Sequence, residues 1–337
     1  MKKFILLSFF LFASLVEATS FDNALDAARN GDYTTAYKGF SLLAEQGDSR
    51  AQHYLGKMYN YGDGVLQDHK QAVYWYRKAA EQGESGAQND LGSMYNYGEG
   101  VLQDYKQAVY WYRKAAEQGE SLAQRNLGLM YADGKGVLQD HKQAVYWYRK
   151  AAEQGDIGGQ FILGTMYLRG DGVLQDYKQA VYWYRKGAEQ GDSGAQFLLG
   201  IMYVNGQGVL QDYKQAVYWY RKAAEQGESG AQHNLGKMYA NGRGVLQDYK
   251  QAVYWYRKAA EQGDSGAQND LGWMYANGQG VQQDYKQAYM WFNLARYNGH
   301  DTTKSFYFLD GKISPSDISK AQQMSTVCLE SNYTKCN

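Results

Sequence analysis

One thirteen-residue segment is copied along most of the chain. QAVYWYRKAAEQG occupies residues 71–83, returns from 107, 143, 215 and 251, and returns from 179 with Gly187 in place of alanine. A Leu-Gly pair keeps the same period, because each copy from Leu55-Gly56 to Leu271-Gly272 follows the previous one at a step of 36 residues. A fixed period of this length indicates a solenoid or a propeller, in which each unit packs on its neighbours.

The first half of each period has the pattern of a helix followed by a glycine loop. In residues 84–119, the apolar side chains Ala87, Leu91 and Met94 recur at helical spacing, and the segment YGEGVLQ then interrupts the pattern with two glycines. No part of the period alternates between apolar and polar residues as a half-buried strand does, which excludes a propeller.

The second half of the period contains the copied segment and predicts another helix. Asp104 is placed to cap its first turn, and Gln107, three residues on, completes the pattern of a capping box. Gly119 is placed to end it, since glycine adopts the left-handed conformation most easily. Neither helix is long enough to be stable alone. The predicted fold is therefore all-α, an α-solenoid of about seven 36-residue helix-loop-helix repeats with degenerate end caps.

Each copy of the second helix carries one tryptophan. Because it stands at helical spacing beside alanines, we interpret it as packing between helices. The alternative is an aromatic ladder on which sugars or bases stack. The residues concerned are Trp75, Trp111, Trp147, Trp183, Trp219 and Trp255.

The N-terminus has the pattern of a secretory signal peptide. Lys2 and Lys3 precede an apolar run from residue 4 to 16, and Val16-Glu17-Ala18 fits a cleavage site. The run is too short to span a membrane, and no later segment is apolar enough to do so. We expect cleavage after Ala18, and we expect the mature chain to be periplasmic or secreted. An uncleaved anchor is the alternative.

The remaining chain divides into three regions. Residues 19–50 are expected to form an N-terminal capping helix pair, residues 51–299 seven repeats, and residues 300–337 a C-terminal capping helix and tail. Ser314-Pro315 has the pattern of an N-cap and first-turn proline that open the last helix. Cys328 and Cys336 are the only cysteines, and in an exported protein they predict a disulfide. A redox or metal-binding pair is the alternative.

Charge and motifs argue against several functions. Lys plus Arg and Asp plus Glu both number 35, so the chain has no basic excess for nucleic acid or for an anionic membrane. No metalloprotease motif, cysteine cluster or phosphate-binding loop is found. We interpret the loop glycines as helix turns and Asp104 as a cap. The prediction is a non-enzymatic chain without cofactor or metal site.

The motifs as a whole resemble the Sel1-like repeat, a relative of the tetratricopeptide repeat. The pattern A-x3-LG-x-MY-x2-G-x-GV-x2-D-x3-A-x2-WY-x2-AA-x2-G runs through residues 51–299, and the segments AYMWFNLA and KISPSDISKAQQM resemble the C-terminal end of bacterial members. This resemblance implies a right-handed superhelix of antiparallel helix pairs. It also implies adaptor or scaffold work on protein partners in envelope assembly, signalling or host contact.

Two other functions stay open beside the scaffold. Cysteine-rich secreted members of the family have been described as penicillin-binding proteins or β-lactamases, which suggests an enzyme of cell-wall or β-lactam chemistry. Those members carry a cysteine pair in each repeat, whereas this chain has only Cys328 and Cys336. The second alternative is a carbohydrate-binding solenoid that uses exposed tyrosine and tryptophan.

The positions that differ between repeats predict where a protein partner binds. Counting each repeat from its first-helix alanine, variation falls at positions 3, 4, 7, 10 and 11, on one arc of the first helix. In related solenoids this helix lines the concave surface. The middle repeats are apolar there, and a contiguous apolar patch would mark an interaction site. Burial against neighbouring turns and neutral drift are the alternatives. The predicted residues are Leu129, Phe161, Ile162, Leu168, Phe197, Leu198, Ile201 and Val204.

Overall fold

The computed structural model describes residues 20–336, which form 18 α-helices and no β-strand. The predicted signal peptide, residues 1–18, lies outside the described residues. The first nine helices are α1 (Phe21–Arg29), α2 (Tyr33–Glu45), α3 (Ser49–Tyr61), α4 (His69–Glu81), α5 (Ser85–Tyr97), α6 (Tyr105–Glu117), α7 (Ser121–Asp133), α8 (His141–Glu153) and α9 (Ile157–Arg169). The other nine are α10 (Tyr177–Glu189), α11 (Ser193–Asn205), α12 (Tyr213–Glu225), α13 (Ser229–Asn241), α14 (Tyr249–Ala260), α15 (Ser265–Asn277), α16 (Tyr285–Tyr297), α17 (Thr303–Leu309) and α18 (Pro315–Glu330).

The helices pack in consecutive pairs, which confirms the predicted α-solenoid. The chain forms two compact units. The first comprises residues up to Leu163 together with Asp171–Leu174, and the second comprises Gly164–Gly170 and the chain from Gln175 onward. Within residues 20–336, no helix combines the length and the apolar character needed to cross a membrane.

The second helix of each repeat begins at an aspartate cap. One carboxylate oxygen of Asp104 accepts hydrogen bonds from the backbone N–H groups of Lys106 and Gln107 at 2.9 and 3.1 Å. The second bond of the predicted capping box, from the Asp104 N–H to the Gln107 side chain, is wrong. The Asp104 N–H donates instead to the Tyr95 carbonyl at 2.9 Å. At the far end, Gly119 has φ +94°, as its predicted role requires.

The glycine of each Leu-Gly pair lets the two helices of a repeat approach closely. A Cβ atom on Gly92 would lie 2.7 Å from Cδ1 of Tyr112, a buried ring on the second helix of the same repeat. That distance is below van der Waals contact, so only glycine fits without a shift of the ring. The same contact recurs between Gly56 and Tyr76, Gly128 and Tyr148, Gly164 and Tyr184, Gly200 and Tyr220, and Gly236 and Tyr256, and between Gly272 and Phe292.

A buried glutamine on the first helix joins each repeat to the one before it. Gln88 is 3% exposed, and its Nε2 donates to the Ala80 carbonyl of the preceding repeat at 3.0 Å. Its Oε1 accepts from Nε2 of Gln118 in its own repeat at 2.8 Å. Three helices therefore meet at one satisfied side chain. The same pair of bonds is made by Gln52, Gln124, Gln196, Gln232 and Gln268.

The repeated tryptophans pack between repeats, as predicted. Trp111 is buried in one apolar cluster with Ala72 and Tyr76 of the preceding repeat and with Met94. Trp147, Trp183, Trp219 and Trp255 are buried to the same degree, and Trp75 is partly buried. These rings therefore have little free face on which a sugar or a base could stack.

Additional helices cover both ends of the repeats. At the N-terminal end, Ala24 of α1 and Phe40 of α2 share a buried cluster with Leu55. At the C-terminal end, the short helix α17 was not predicted; its Phe306 and Phe308 pack near Phe292 of α16. The Ser314 hydroxyl caps α18 by accepting from the Asp317 N–H at 3.1 Å. A disulfide joins the buried Cys328 and Cys336.

Candidate interaction surfaces

One position of the first helix is both accessible and different in most repeats. It directly follows the Leu-Gly pair, and we call it the variable position. Its side chain is exposed or partly buried in every repeat, and Leu129 is the most open apolar example at 44% exposure. The variable position holds Lys57, Ser93, Leu129, Thr165, Ile201, Lys237 and Trp273.

The other predicted partner-binding residues are less open than Leu129. Phe161 and Ile162 in the first unit are partly buried, as are Leu168, Phe197, Leu198, Ile201 and Val204 in the second. Phe197, Ile201 and Val204 pack against the buried cluster that contains Tyr220. The ring of Phe197 lies 6.1 Å from that of Tyr220, and its tip fills the space where a Cβ on Gly230 would stand, at 2.8 Å. These three side chains therefore contribute to packing between repeats.

Some residues that differ between repeats form hydrogen-bonded pairs with each other. Position 3 of one first helix, counted from its alanine, contacts position 4 of the first helix in the next repeat. The imidazole Nε2 of His53 donates to the Asp90 carboxylate at 2.8 Å, and Asn126 donates to the Asn89 side-chain carbonyl at 3.0 Å. His233 repeats the first arrangement with Asp270 at 2.9 Å. Differences at these two positions thus preserve the contact between neighbouring repeats. A regular pairing at a step of 37 residues is the sequence signal for it.

The buried tyrosines of the second helices resist ionisation. Burial is the main cause that raises the pKa of Tyr112 to about 12, although its hydrogen bond with Ser93 opposes this. Burial also raises the pKa values of Tyr76, Tyr148, Tyr184, Tyr220 and Tyr256. The phenols are packed against the Leu-Gly glycines, where a charged oxygen would lose its hydration.

These pKa shifts predict alkaline unfolding. In the unfolded chain the phenols ionise near the ordinary pKa of 10.0, whereas Tyr112 in the folded chain does so at about 12. The folded state therefore keeps protons that the unfolded state loses, and stability falls as pH rises through this window. We expect the tyrosinate absorbance of the buried phenols to appear together with the loss of helical circular dichroism, above pH 10. Complete ionisation of all tyrosines with helicity retained would contradict this account.

The sequence did not predict a groove that lies beside the second helix of a repeat. It lies between α10 and the glycine loop that follows α11, has a volume of about 450 Å³, and has Tyr182 at 49% exposure on its wall. Its lining combines cationic and apolar groups: Lys178, Val181, Tyr182, Arg185, Lys186, Glu189, Gly208 and Val209. Within residues 20–336, none of the three cations forms an ion pair. We call this the second-helix groove.

The sequence signal for this groove is a second face on the copied helix. Tyr182, Arg185 and Lys186 stand at i, i+3 and i+4, on the side away from the buried Ala180 and Ala188. The abundance of buried aromatic residues in the same segment concealed it, because Trp183 and Tyr184 follow Tyr182 directly. Neither the groove nor any other part of the described range groups three or more His, Cys, Asp or Glu side chains so as to hold a metal ion.

Consecutive helix pairs with glycine-mediated packing define an α-solenoid repeat protein. The Sel1 repeat model matches seven consecutive segments of the chain, residues 49–84, 85–120, 121–156, 158–192, 193–228, 229–264 and 265–300. The chain therefore belongs to the Sel1 repeat family. Sel1 repeat solenoids are generally interaction scaffolds and not enzymes.

Three solved structures are similar to this chain. A Sel1 repeat protein from Oxalobacter formigenes is 35% identical, with a TM-score of 0.64 over 90% of this chain and 93% of that one. A protective antigen of uropathogenic Escherichia coli strains is 34% identical, with a TM-score of 0.47 over 93% of this chain and 85% of that one. Helicobacter pylori cysteine rich protein B is 33% identical, with a TM-score of 0.32 over 38% of this chain and 92% of that one. No curated protein matches the chain.

Proposed function

We propose that this chain is a non-enzymatic scaffold exported to the bacterial envelope, where it holds a protein partner in envelope assembly, signalling or host contact. The observation that carries the proposal is the contrast between two sets of residues. Those that hold the stack, such as Gln88 and Gly92, are the same in each repeat, whereas the accessible variable position differs. A surface whose chemistry changes from step to step suits a partner whose chemistry also changes, which is a property of a protein.

Leu129 is the side chain through which this proposal is best tested. It is apolar and 44% exposed, so burial of this remaining surface by a partner would contribute about 1 kcal/mol to binding. Phe197 and Ile201 are less suitable, because they pack between repeats and their loss would disturb the fold. The exposed Leu138 in the loop after α7 provides a matched control.

We expect Leu129→Ser to weaken partner capture from the native envelope about fivefold while helicity is unchanged, since fivefold corresponds to about 1 kcal/mol. Leu138→Ser should capture the partner as the wild type does. Equal capture by the wild type and both variants would show that the first helix is not the binding surface. Hydrolysis of nitrocefin by the pure chain would favour the enzyme alternative instead.

Export rests on the N-terminal pattern and on the terminal disulfide. A disulfide between Cys328 and Cys336 persists in an oxidising compartment, which supports a periplasmic or secreted location. Mass spectrometry of the chain from its native host should show a mature N-terminus at Thr19. Recovery of the intact chain from the cytoplasm would contradict export.

A further inference from the structure

We propose that the second-helix grooves form an array of binding sites for a linear acidic polysaccharide. This surface is separate from the variable position of the first helices and takes a different class of partner. The proposal begins from the exposed face of the second helix. Helix α10 buries Ala180, Trp183 and Tyr184, whereas Tyr182 is half-exposed and Lys178 and Lys186 are exposed.

The groove residues are the same in six repeats. The tyrosines are Tyr74, Tyr110, Tyr146, Tyr182, Tyr218 and Tyr254, each between 47% and 49% exposed. The grooves of Tyr74, Tyr110 and Tyr146 belong to the first compact unit, and the other three belong to the second. Six sites with the same residues cannot distinguish between segments of a partner whose sequence varies. They suit a polymer that presents the same chemical group to each groove.

Charge determines which repeating partner fits. In the groove at Tyr182, three cationic side chains face a single carboxylate, that of Glu189. Lys186 lies over the tyrosine ring with its ammonium 5.9 Å from the ring centre, and Arg185 donates to the hydroxyl of Tyr203 at 2.8 Å. Both cations are therefore held at the groove without being neutralised. An anionic group on the partner complements this excess of positive charge.

The shape and lining of the groove favour a sugar over an acidic peptide. The phenol ring of Tyr182 stands on edge against Trp183, with ring centres 4.8 Å apart and an angle of 82°. Val181 and Val209 form the apolar wall next to it. A rigid ring and the partly exposed Val209 offer a surface for the C–H face of a pyranose, and the lysines can bind its carboxylate.

The order of the grooves suits a linear polymer. Trp111 on one second helix is buried with Ala72 and Tyr76 of the previous one, so successive second helices are neighbours in the stack. A linear chain can therefore extend from one groove to the next within one unit. Each further groove then adds an intramolecular contact, which raises the overall affinity.

Binding of polygalacturonate to the full mature chain tests this proposal. We expect long polygalacturonate to bind at least about tenfold more tightly than a disaccharide of galacturonic acid, because several grooves are occupied together. Binding should weaken as salt is added, since charge contributes to it. Fully methyl-esterified polygalacturonate has the same backbone without the charge and should bind at least about tenfold more weakly.

A charge-neutralising variant locates the site. Replacing Lys78, Lys114, Lys150, Lys186, Lys222 and Lys258 by glutamine should reduce polygalacturonate affinity at least about tenfold, with helicity and melting temperature retained. The matched control replaces six lysines outside the grooves by glutamine, namely Lys38, Lys57, Lys237, Lys304, Lys320 and Lys335, and should bind as the wild type does. Leu129→Ser should also bind polygalacturonate normally, which separates this proposal from the protein-binding one.

Three outcomes would overturn the proposal. Equal losses in the groove variant and the control variant would show that binding follows total charge. Equal binding of the methyl ester would remove the role of the cations. Tighter binding of poly-L-glutamate or of duplex DNA than of polygalacturonate would show that the grooves take an acidic protein or a nucleic acid.

Discussion

Replacing Gln88 by alanine should lower the free energy of unfolding by about 2–3 kcal/mol. The change removes the donor to the Ala80 carbonyl and the acceptor of the Gln118 amide. The Ala80 carbonyl keeps its bond from the Gly83 N–H at 3.1 Å, and each of the two lost hydrogen bonds contributes about 0.5–1.5 kcal/mol. The loss of packing by the side chain adds to this cost. Urea unfolding followed by circular dichroism measures the difference.

Gln107→Ala is the matched control for this prediction. Gln107 is exposed on α6, and its side chain makes no capping contact because the Asp104 N–H is already bonded. We expect this variant to unfold within about 0.5 kcal/mol of the wild type. Hydrogen exchange should show faster opening of α4, α5 and α6 in Gln88→Ala, since each repeat is stabilised mainly by its neighbours. Unchanged stability in Gln88→Ala would contradict the joining role of the glutamine.

Gly200→Ala should destabilise the second unit by about 1–3 kcal/mol, as overpacking of a close interface does. The added Cβ would lie 2.6 Å from both Cδ1 and Cε1 of Tyr220, a buried ring that Phe197 also contacts. The ring cannot move away without disturbing the next repeat. Thermal unfolding of the purified variant measures this cost.

Gly187→Ala separates this steric effect from the general effect of glycine in a helix. Gly187 is a buried residue of α10, and the equivalent residue is alanine in the other copies, for example Ala151 and Ala223. We expect this variant to be as stable as the wild type or more stable by up to about 1 kcal/mol. If both variants were stabilised equally, the close contact of Gly200 would not restrict the residue there.

The sequence predicted the helix pairs and their ends well because these depend on local patterns. Asp104 at the start of α6 and Gly119 after its end act through nearby backbone groups, so their roles can be recognised from neighbouring residues. The short helix α17 could not be recognised in this way. It depends on contacts of Phe306 and Phe308 with α16, and such contacts leave no periodic pattern in the local sequence.

The candidate sites were predicted less completely, since accessibility depends on packing between repeats. Variation alone grouped Leu129 with Phe197, although the first is exposed and the second packs beside Tyr220. Identity between repeats was likewise taken as a sign of burial, which holds for Trp183 but not for Tyr182 one residue earlier. A helical wheel separates these two neighbours, and the three-dimensional contact between repeats determines which of them faces solvent.

Site-specific photocrosslinking in the native envelope tests the protein-binding role most directly. A benzophenone amino acid is placed at residue 129 in one strain and at residue 138 in another, both being exposed positions of the first unit. We predict a discrete crosslinked protein from position 129 and none from position 138. Equal adducts from both positions, or no adduct from position 129 while the chain is exported and folded, would contradict partner binding at the variable position.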